Sequence, residues 1–182
     1  IWPNRAEEAV ESANDLDMQA WLDGVVDERV AAGRPVVLAL ALGRGGGYSS
    51  IAAAQRASDG RILLEHLDTK AQSLWVPPAL KKFKADLQAA SIVLDQRNAE
   101  PILPDLAKAG VRYLAMSMSE VAAAFDLMIE HVNAEAVVHP DQAEVTIALQ
   151  NAVPRVMSKT GNLRTWEQGD PTEPVTTVQA MT

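Results

Sequence analysis

The feature that most constrains this chain is the stretch of residues 36–50, which reads VVLALALGRGGGYSS. Its first seven residues are all apolar, and such an unbroken run predicts a strand that is buried on both faces of a sheet. The run ends in a glycine-rich turn at residues 43–47, and a second strand is predicted to begin at Tyr48. A rigid strand that ends in a turn is a natural place for catalytic groups, because substrate can approach its last side chains. The position at which we would look for such a group, Ala41, carries only a methyl group.

Strand and helix patterns then follow one another along the rest of the chain. Three strands joined by tight turns, at residues 36–42, 48–56 and 61–67, predict an antiparallel meander. Alternating helices and strands come next, which predicts parallel strands added to that meander. We therefore expect an α/β domain with a mixed central sheet and helices on both faces. The later elements are predicted as helices at 73–87, 99–109, 117–131, 141–151 and 172–181, strands at 91–95, 111–116 and 136–138, and a hairpin at 153–158 and 163–167.

The first 34 residues are predicted to form a lead-in segment. The segment is polar at first, and then apolar residues such as Leu16, Trp21 and Val30 recur at roughly helical spacing with acids between them. This pattern predicts an amphipathic helix that docks on the sheet and is capped by Asp15 or Asp17. We therefore divide the chain into an N-terminal arm and helix at residues 1–34 and a main domain at residues 35–182.

Composition restricts the class of protein. A chain of 182 residues with 48% hydrophobic residues suits one globular domain. No run approaches the ~20 apolar residues that a membrane-spanning helix needs. The absence of cysteine excludes disulfides, thiolate catalysis and zinc–thiolate sites and fits a cytosolic compartment. The net charge of −8 argues against bulk electrostatic wrapping of nucleic acid but allows a local basic strip. The absence of an initiating methionine predicts a fragment of a longer protein.

Two acids stand apart from the surface charges. Asp95 directly follows the apolar residues 92–94, so it lies where a predicted buried strand reaches the edge of the sheet. A charge in such a place is costly unless it is paired or bound to a metal, although a turn residue is an equally open interpretation. Asp170 precedes Pro171 at the start of the last predicted helix, where a plain N-cap would also explain it.

The order and spacing of several short motifs resemble the nuclease domain of phage terminase large subunits. The motifs are the strand at 36–42, the meander through residue 67, LDQR at 94–97, LPDLAKAGV at 103–111 and RTWEQGDP at 164–171. The resemblance covers residues 15–182 in the right order of elements. That family belongs to the RNase H-like nuclease fold, alongside Holliday-junction resolvases and retroviral integrases. The resemblance therefore implies an RNase H-like α/β fold.

The resemblance also implies a metal site. The family places one acid near the end of the first strand, a second at the end of the fourth strand and a third beside the last helix. These acids hold two divalent ions, Mg²⁺ or Mn²⁺, that flank the scissile phosphate. Paired ions activate water and stabilise the leaving oxygen, and hard oxygen ligands such as carboxylates suit them. Asp95 matches the second acid and Asp170 the third.

Ala41 aligns with the first acid and departs from the family pattern. The first acid bridges both metal ions in this family, so its loss is expected to cripple metal binding and cleavage. The intact flanking residues favour the interpretation that an aspartate has been replaced by alanine, and a natural inactive variant is the alternative. The chain as it stands is therefore expected to be inactive or impaired.

A local basic strip is predicted on the hairpin before Asp170. It consists of Arg155, Lys159 and Arg164. A few well-placed cations are sufficient to neutralise backbone phosphates, so these residues are candidate DNA contacts. A solvated hairpin without a ligand is the alternative interpretation.

The resulting expectation is the endonuclease domain of a viral DNA-packaging terminase, which cuts concatemeric DNA in the host cytoplasm. Its expected partners are double-stranded DNA, an ATPase motor domain that this sequence does not encode, the portal and the small terminase subunit, with no membrane. Two alternatives stay open. One is a structure-selective nuclease of the Holliday-junction-resolvase type, and the other is a non-catalytic docking module with the same fold.

Overall fold

A computed structural model of the chain describes residues 15–26, 35–43, 47–157, 163–168 and 174–182. The strands in this part of the chain are β1 (Val37–Leu42), β2 (Tyr48–Arg56), β3 (Ile62–Ala71), β4 (Ser91–Asp95), β5 (Leu114–Met116), β6 (Val137–Val138), β7 (Ala152–Val156) and β8 (Arg164–Gln168). The helices are α1 (Met18–Asp23), α2 (Val76–Asp86), α3 (Gln96–Ala99), α4 (Leu103–Lys108), α5 (Met118–Asn133), α6 (Ala143–Asn151) and α7 (Thr176–Met181). A 3₁₀ turn, Glu100–Ile102, joins α3 to α4.

Six of the strands form one mixed sheet in the order β5-β4-β1-β2-β3-β6. The first three strands pair as an antiparallel meander, and β4 and β5 add to it in parallel on the side of β1. The predicted mixed sheet is therefore confirmed. β7 and β8 pair with each other in a separate antiparallel hairpin, as predicted.

The central strand β1 divides the core into two layers. Leu38, Leu40 and Leu42 face a cluster that includes residues of α2 and α4. Ala41 faces the opposite cluster, to which α5, α6, α7 and the buried Trp166 contribute. Because neighbouring residues of a strand face opposite sides, an all-apolar strand of this kind is covered on both faces. The prediction of helices on both faces of the sheet is confirmed.

The longest described helix, α5, has a capped start. Ser117 is its N-cap and accepts a hydrogen bond from the backbone of Glu120, whose carboxylate in turn accepts one from the Ser117 backbone N–H at 2.7 Å. These two reciprocal bonds form a capping box, which satisfies donors that a helix start leaves unpaired. The hydrogen bond from the Ser117 backbone also lowers the pKa of Glu120.

The strand predicted at residues 111–116 begins later, at Leu114. The N–H of Val111 bonds to the carbonyl of Leu106 and so closes the end of α4 instead of joining the sheet. Gly110 adopts a positive φ of 71° between them, as expected for a residue that follows a helix end. Val111 therefore closes the end of α4, and pairing with β4 begins only at Leu114.

The lead-in helix is shorter than its apolar spacing predicts. Asp17 caps α1 as expected, but the helix ends at Gly24, where a Cβ atom would lie 2.7 Å from the carbonyl oxygen of Val137. Only glycine permits this close approach of two backbones. Val25 then pairs with His139 in an isolated bridge instead of continuing the helix. Residues 27–34 lie outside the described residues, and the division at residue 34 stays a prediction.

Trp21 anchors α1 to the body of the domain. Its ring stacks on His139 with centroids 3.6 Å apart, and its Nε1 donates a hydrogen bond to Thr146 Oγ1 at 3.1 Å. Both the tryptophan and the histidine are almost fully buried. His139 therefore has a packing role in α1 docking. In the described part of the chain, no helix is long and apolar enough to cross a membrane.

Replacement of Trp21 by alanine is expected to lower the free energy of unfolding by about 3–5 kcal/mol, because it removes a fully buried indole and its stacking contact with His139. Trp21→Phe should cost less, because it keeps an aromatic ring over His139. Urea unfolding followed by far-UV circular dichroism measures both changes. Equal stability of the Trp21→Ala variant and the unaltered chain would contradict the packing described for α1.

Candidate functional site

Four residues of the sheet lie in one row across neighbouring strands. Leu40 pairs with Leu94, so the next residues along the two parallel strands, Ala41 and Asp95, continue side by side. Ala41 also pairs with Ser50, and Ser50 pairs with Thr69. We call Asp95, Ala41, Ser50 and Thr69 the site row. Paired residues of a sheet face the same side, so the site row faces the layer that contains α5 and α7.

Asp95 ends β4 and also caps α3. Its Oδ1 accepts a hydrogen bond from the backbone N–H of Arg97 at 3.0 Å, and its Oδ2 accepts one from the amide of Asn98 at 2.7 Å. The side chain is half-buried. The sequence offers a turn residue as the alternative to a site; in the structure Asp95 is the N-cap of α3, and these bonds hold the carboxylate in a fixed orientation at the carboxyl end of the strand. A carboxylate held in this way still has lone pairs for a further ligand.

Ala41 contributes no polar group to the site row. Its methyl group is 8% exposed and belongs to the apolar cluster beneath α5 and α7. An apolar cavity of about 310 Å³ lies beside it, with Ala39, Val93 and Trp166 among its lining residues. A larger side chain at position 41 would therefore find space in a cavity that Asp95 also lines.

A chain of hydroxyl groups joins the site row to the start of α7. Ser50 Oγ donates to Thr176 Oγ1 at 2.8 Å and lies 2.6 Å from the hydroxyl of Thr69. The Thr69 hydroxyl lies 3.2 Å from that of Thr177 and 2.8 Å from Nε2 of His66. Ser50, Thr176 and Thr177 are fully buried, and a buried hydroxyl is costly unless it is hydrogen-bonded. These bonds therefore fix where α7 begins relative to Ala41.

A cleft of about 410 Å³ opens over the end of the site row at Asp95. Its lining includes Arg97, Asn98 and Met118, from the starts of α3 and α5. Arg155 and Glu167 of the hairpin also line it. The carboxyl ends of β1 and β4 form its floor, and the start of α7 borders it. The predicted site position and the hairpin thus belong to one concave surface.

The predicted site residues fall into two groups. Ala41, Asp95, Arg155 and Arg164 are described, whereas Asp170 and Lys159 lie outside the described residues. Sequence reasoning did not single out Arg97, Asn98 or Tyr48, which also line the cleft. A signal existed for the first two, because they lie within three residues of Asp95 in the chain.

The carboxylates of the described residues do not suffice for a two-metal site. Asp95 and Glu167 border the cleft, and Glu167 Oε1 is 3.5 Å from Arg155 Nη1. Within the described ranges, no group of three or more acids and histidines is arranged to hold a metal ion. Ala41 occupies the position next to Asp95 at which another carboxylate would complete a pair of oxygen ligands.

Arg164 makes several contacts within the protein. Its Nη2 donates to Asp126 at 2.8 Å, its Nη1 lies 3.3 Å from Asp15, and its guanidinium stands 5.1 Å from the centre of the Phe125 ring. The hydrogen bond to Asp126 is the main reason why the pKa of Arg164 is raised. These contacts hold β8 against α5 and the lead-in segment. Its predicted role in DNA contact stays a prediction.

No protein-family model and no curated protein sequence matches this chain. Solved structures do match its fold. The large terminase of bacteriophage HK97 aligns over 92% of this chain and 42% of its own, with a TM-score of 0.67 and 15% identity. The large terminase nuclease of thermophilic phage G20c, with bound magnesium, aligns over 91% and 94% of the two chains, with a TM-score of 0.65 and 15% identity. The large terminase nuclease domain of bacteriophage SPP1, with bound Mn, aligns over 86% and 90%, with a TM-score of 0.54 and 12% identity.

These likenesses establish the fold. The chain has the RNase H-like fold of the phage large terminase nuclease domains, as predicted. At identities of 12–15%, the likeness shows the fold alone. The chain spans less than half of the HK97 large terminase and most of the two nuclease domains.

Substitution of Asp95 separates its capping role from its charge. Asp95→Ala should lower the free energy of unfolding by about 1 kcal/mol, because it removes the cap of α3. Asp95→Asn should stay within about 0.5 kcal/mol of the unaltered chain, since asparagine is as good a cap. Urea denaturation measures both variants, and equal losses in the two would show that the capping bonds do not contribute.

Removal of Arg164 tests its contacts with Asp15, Asp126 and Phe125. Arg164→Ala should cost about 1–2 kcal/mol of unfolding free energy, from two partly exposed ion pairs and one cation–π contact. Arg155→Ala is the matched control on the same hairpin and should cost less than about 1 kcal/mol, since its ion pair with Glu167 is long. Chemical denaturation measures the unfolding free energy of both variants. A larger loss of unfolding free energy in Arg155→Ala than in Arg164→Ala would contradict the stabilising role described for Arg164.

Proposed function

We propose that this chain is the nuclease domain of a viral DNA-packaging terminase, a metal-dependent DNA endonuclease that has lost one metal-binding acid at Ala41. The observation that carries the proposal is the site row, because it brings Ala41 beside Asp95 at the carboxyl ends of two central strands. The fold shared with large terminase nucleases supports the choice of reaction. The substrate would be concatemeric double-stranded DNA in the cytoplasm of the host. Further partners would be an ATPase motor domain, the portal and the small terminase subunit.

The proposed chemistry is hydrolysis of a phosphodiester bond. Two divalent ions, Mg²⁺ or Mn²⁺, would supply an activated water and stabilise the leaving oxygen. Asp95 and Asp170 are the proposed ligands from this chain. The amide of Asn98 would hold the Asp95 carboxylate in place, as it does through its 2.7 Å bond. Arg155, which lines the same cleft as Asp95, would neutralise a backbone phosphate.

The identity of residue 41 favours a second candidate function for the unaltered chain. A methyl group that is 8% exposed within an apolar cluster suits a module that keeps the fold and does not cut DNA. In that case the domain would serve to dock a motor or a portal. Restoration of an acid distinguishes a disabled nuclease from a domain whose remaining ligands do not form a site.

The variant Ala41→Asp is expected to bind divalent metal and to cleave DNA. In EDTA it should melt below the unaltered chain, because a carboxylate at the buried position 41 and the neighbouring half-buried Asp95 carboxylate repel each other. Saturating Mn²⁺ or Mg²⁺, at about 100 times the dissociation constant, should add about 2.7 kcal/mol and raise Tm by roughly 5–10 °C. Differential scanning fluorimetry measures this shift, and nicking of plasmid DNA measures the activity.

The matched control is Ala41→Asn, which has the same shape without the charge and should show neither the metal shift nor cleavage. Asp95→Asn in the Ala41→Asp background should lose cleavage while it keeps the α3 cap. Linear duplex and four-way junction substrates distinguish a packaging nuclease from a resolvase. If Ala41→Asp gains neither the metal-dependent shift nor cleavage with either ion on these DNAs, the proposed nuclease function is wrong.

A further inference from the structure

An exposed aromatic side chain lies in the cleft. Tyr48 is 42% exposed, whereas the other aromatic side chains in the described part of the chain are buried or half-buried. It precedes Ser50 by two residues on β2, so it faces the same side of the sheet as the site row. Its carbonyl accepts a hydrogen bond from Gly43, which has no side chain that could cover the ring. An exposed ring fixed on a strand is a platform on which a flat ligand can stack.

Two arginines from different elements, Arg97 of α3 and Arg155 of β7, line the same cleft. Arg97 is exposed, and its Nη1 is 3.9 Å from the sulfur of Met118, a weak contact that leaves its charge accessible. Arg155 is 35% exposed and has a long ion pair with Glu167. Guanidinium groups in such positions suit phosphate oxygens, which they contact through two parallel N–H groups.

The ring and the arginines together indicate whether the DNA that binds here is single-stranded or duplex. In a duplex the flat faces of the bases are covered by their neighbours, so a protein aromatic can stack only on an unpaired base. The cleft of about 410 Å³ is in the range of a pocket for one small molecule, roughly one nucleotide. A chain with a net charge of −8 also repels the dense charge of a duplex more than that of a single strand.

We propose that the cleft binds an unpaired segment of DNA, with one base stacked on Tyr48 and the flanking phosphates held by Arg97 and Arg155. The inference rests on the proposed function for the choice of DNA and adds the form in which the DNA enters the site. A locally opened segment of the double-stranded substrate is then the part of the DNA that reaches Asp95. Stacking on the ring orients the strand while the arginines set its depth in the cleft.

The test is a binding measurement on the unaltered chain in EDTA at low salt, so that cleavage plays no part. Fluorescence anisotropy compares a labelled single-stranded oligonucleotide with its blunt duplex of equal length. The single strand should bind at least about tenfold more tightly. Tyr48→Ala and Tyr48→Leu should weaken single-strand binding by roughly 5- to 150-fold, the range for loss of one stacked base, while Tyr48→Phe should retain it.

The arginines have their own readout and control. Arg97→Ala should weaken single-strand binding and reduce the slope of log affinity against log salt by about 0.7, because one phosphate contact is lost. Arg112→Ala removes an exposed arginine that does not line the cleft. It precedes β5 and so lies at the amino end of the parallel strands, whereas the cleft lies at their carboxyl end, and its loss should change neither quantity. Thermal unfolding of each variant checks that it is folded, and Tyr48→Leu keeps an apolar strand residue in case Tyr48→Ala is unstable.

Duplex binding as tight as single-strand binding would overturn the inference. A change of less than twofold in both Tyr48→Ala and Tyr48→Leu would do the same. These outcomes are separate from the fate of the proposed function. Cleavage by Ala41→Asp together with a preference for intact duplex would leave the nuclease assignment standing and remove this inference alone.

Discussion

The pairing of β1 with a strand on each side is the constraint on which the rest of the structure depends. β1 runs parallel to β4 and antiparallel to β2, and the register of these two pairings fixes which side chains are neighbours. The leucines on one face of β1 pack against α2 and α4. Small residues on the opposite face, such as Ala41, let α7 lie close to the sheet. The position of Asp95 beside Ala41 follows from this register. A slip of one residue would turn the whole site row to the other side.

The sequence predicted the elements whose formation depends on nearby residues. The run at 36–42, the helix start near residue 117 and the acid that follows residues 92–94 carry local signals, because strand burial and helix capping act over a few residues. The mixed sheet followed from the order of these elements. Ala41 could be recognised as an exceptional position because its neighbours indicated both the strand and its end.

Features that depend on distant contacts were not predictable in the same way. The end of α1 at Gly24 depends on the approach of Val137, more than 100 residues later, and no local pattern encodes it. The ion pairs of Arg164 with Asp15 and Asp126 likewise join segments that are remote in the chain. The sequence marked Arg164 as a candidate DNA contact on a hairpin, and its ion pairs with α5 and the lead-in segment had no local signal. The place of Asp170 in the site stays a prediction.

The hydroxyl chain beneath α7 has a consequence for the timing of protein synthesis. The bond between Ser50 and Thr176 joins residues 126 positions apart, so the sheet is translated long before the helix that completes its site face. Domains fold as the ribosome releases them, and contacts of such long range form late. While residues 174–182 are still inside the ribosome, the strands already outside have an open, unfinished face. The cleft is complete only once residues 174–182 have left the ribosome, so a nascent chain that ends before them lacks the helix that borders it.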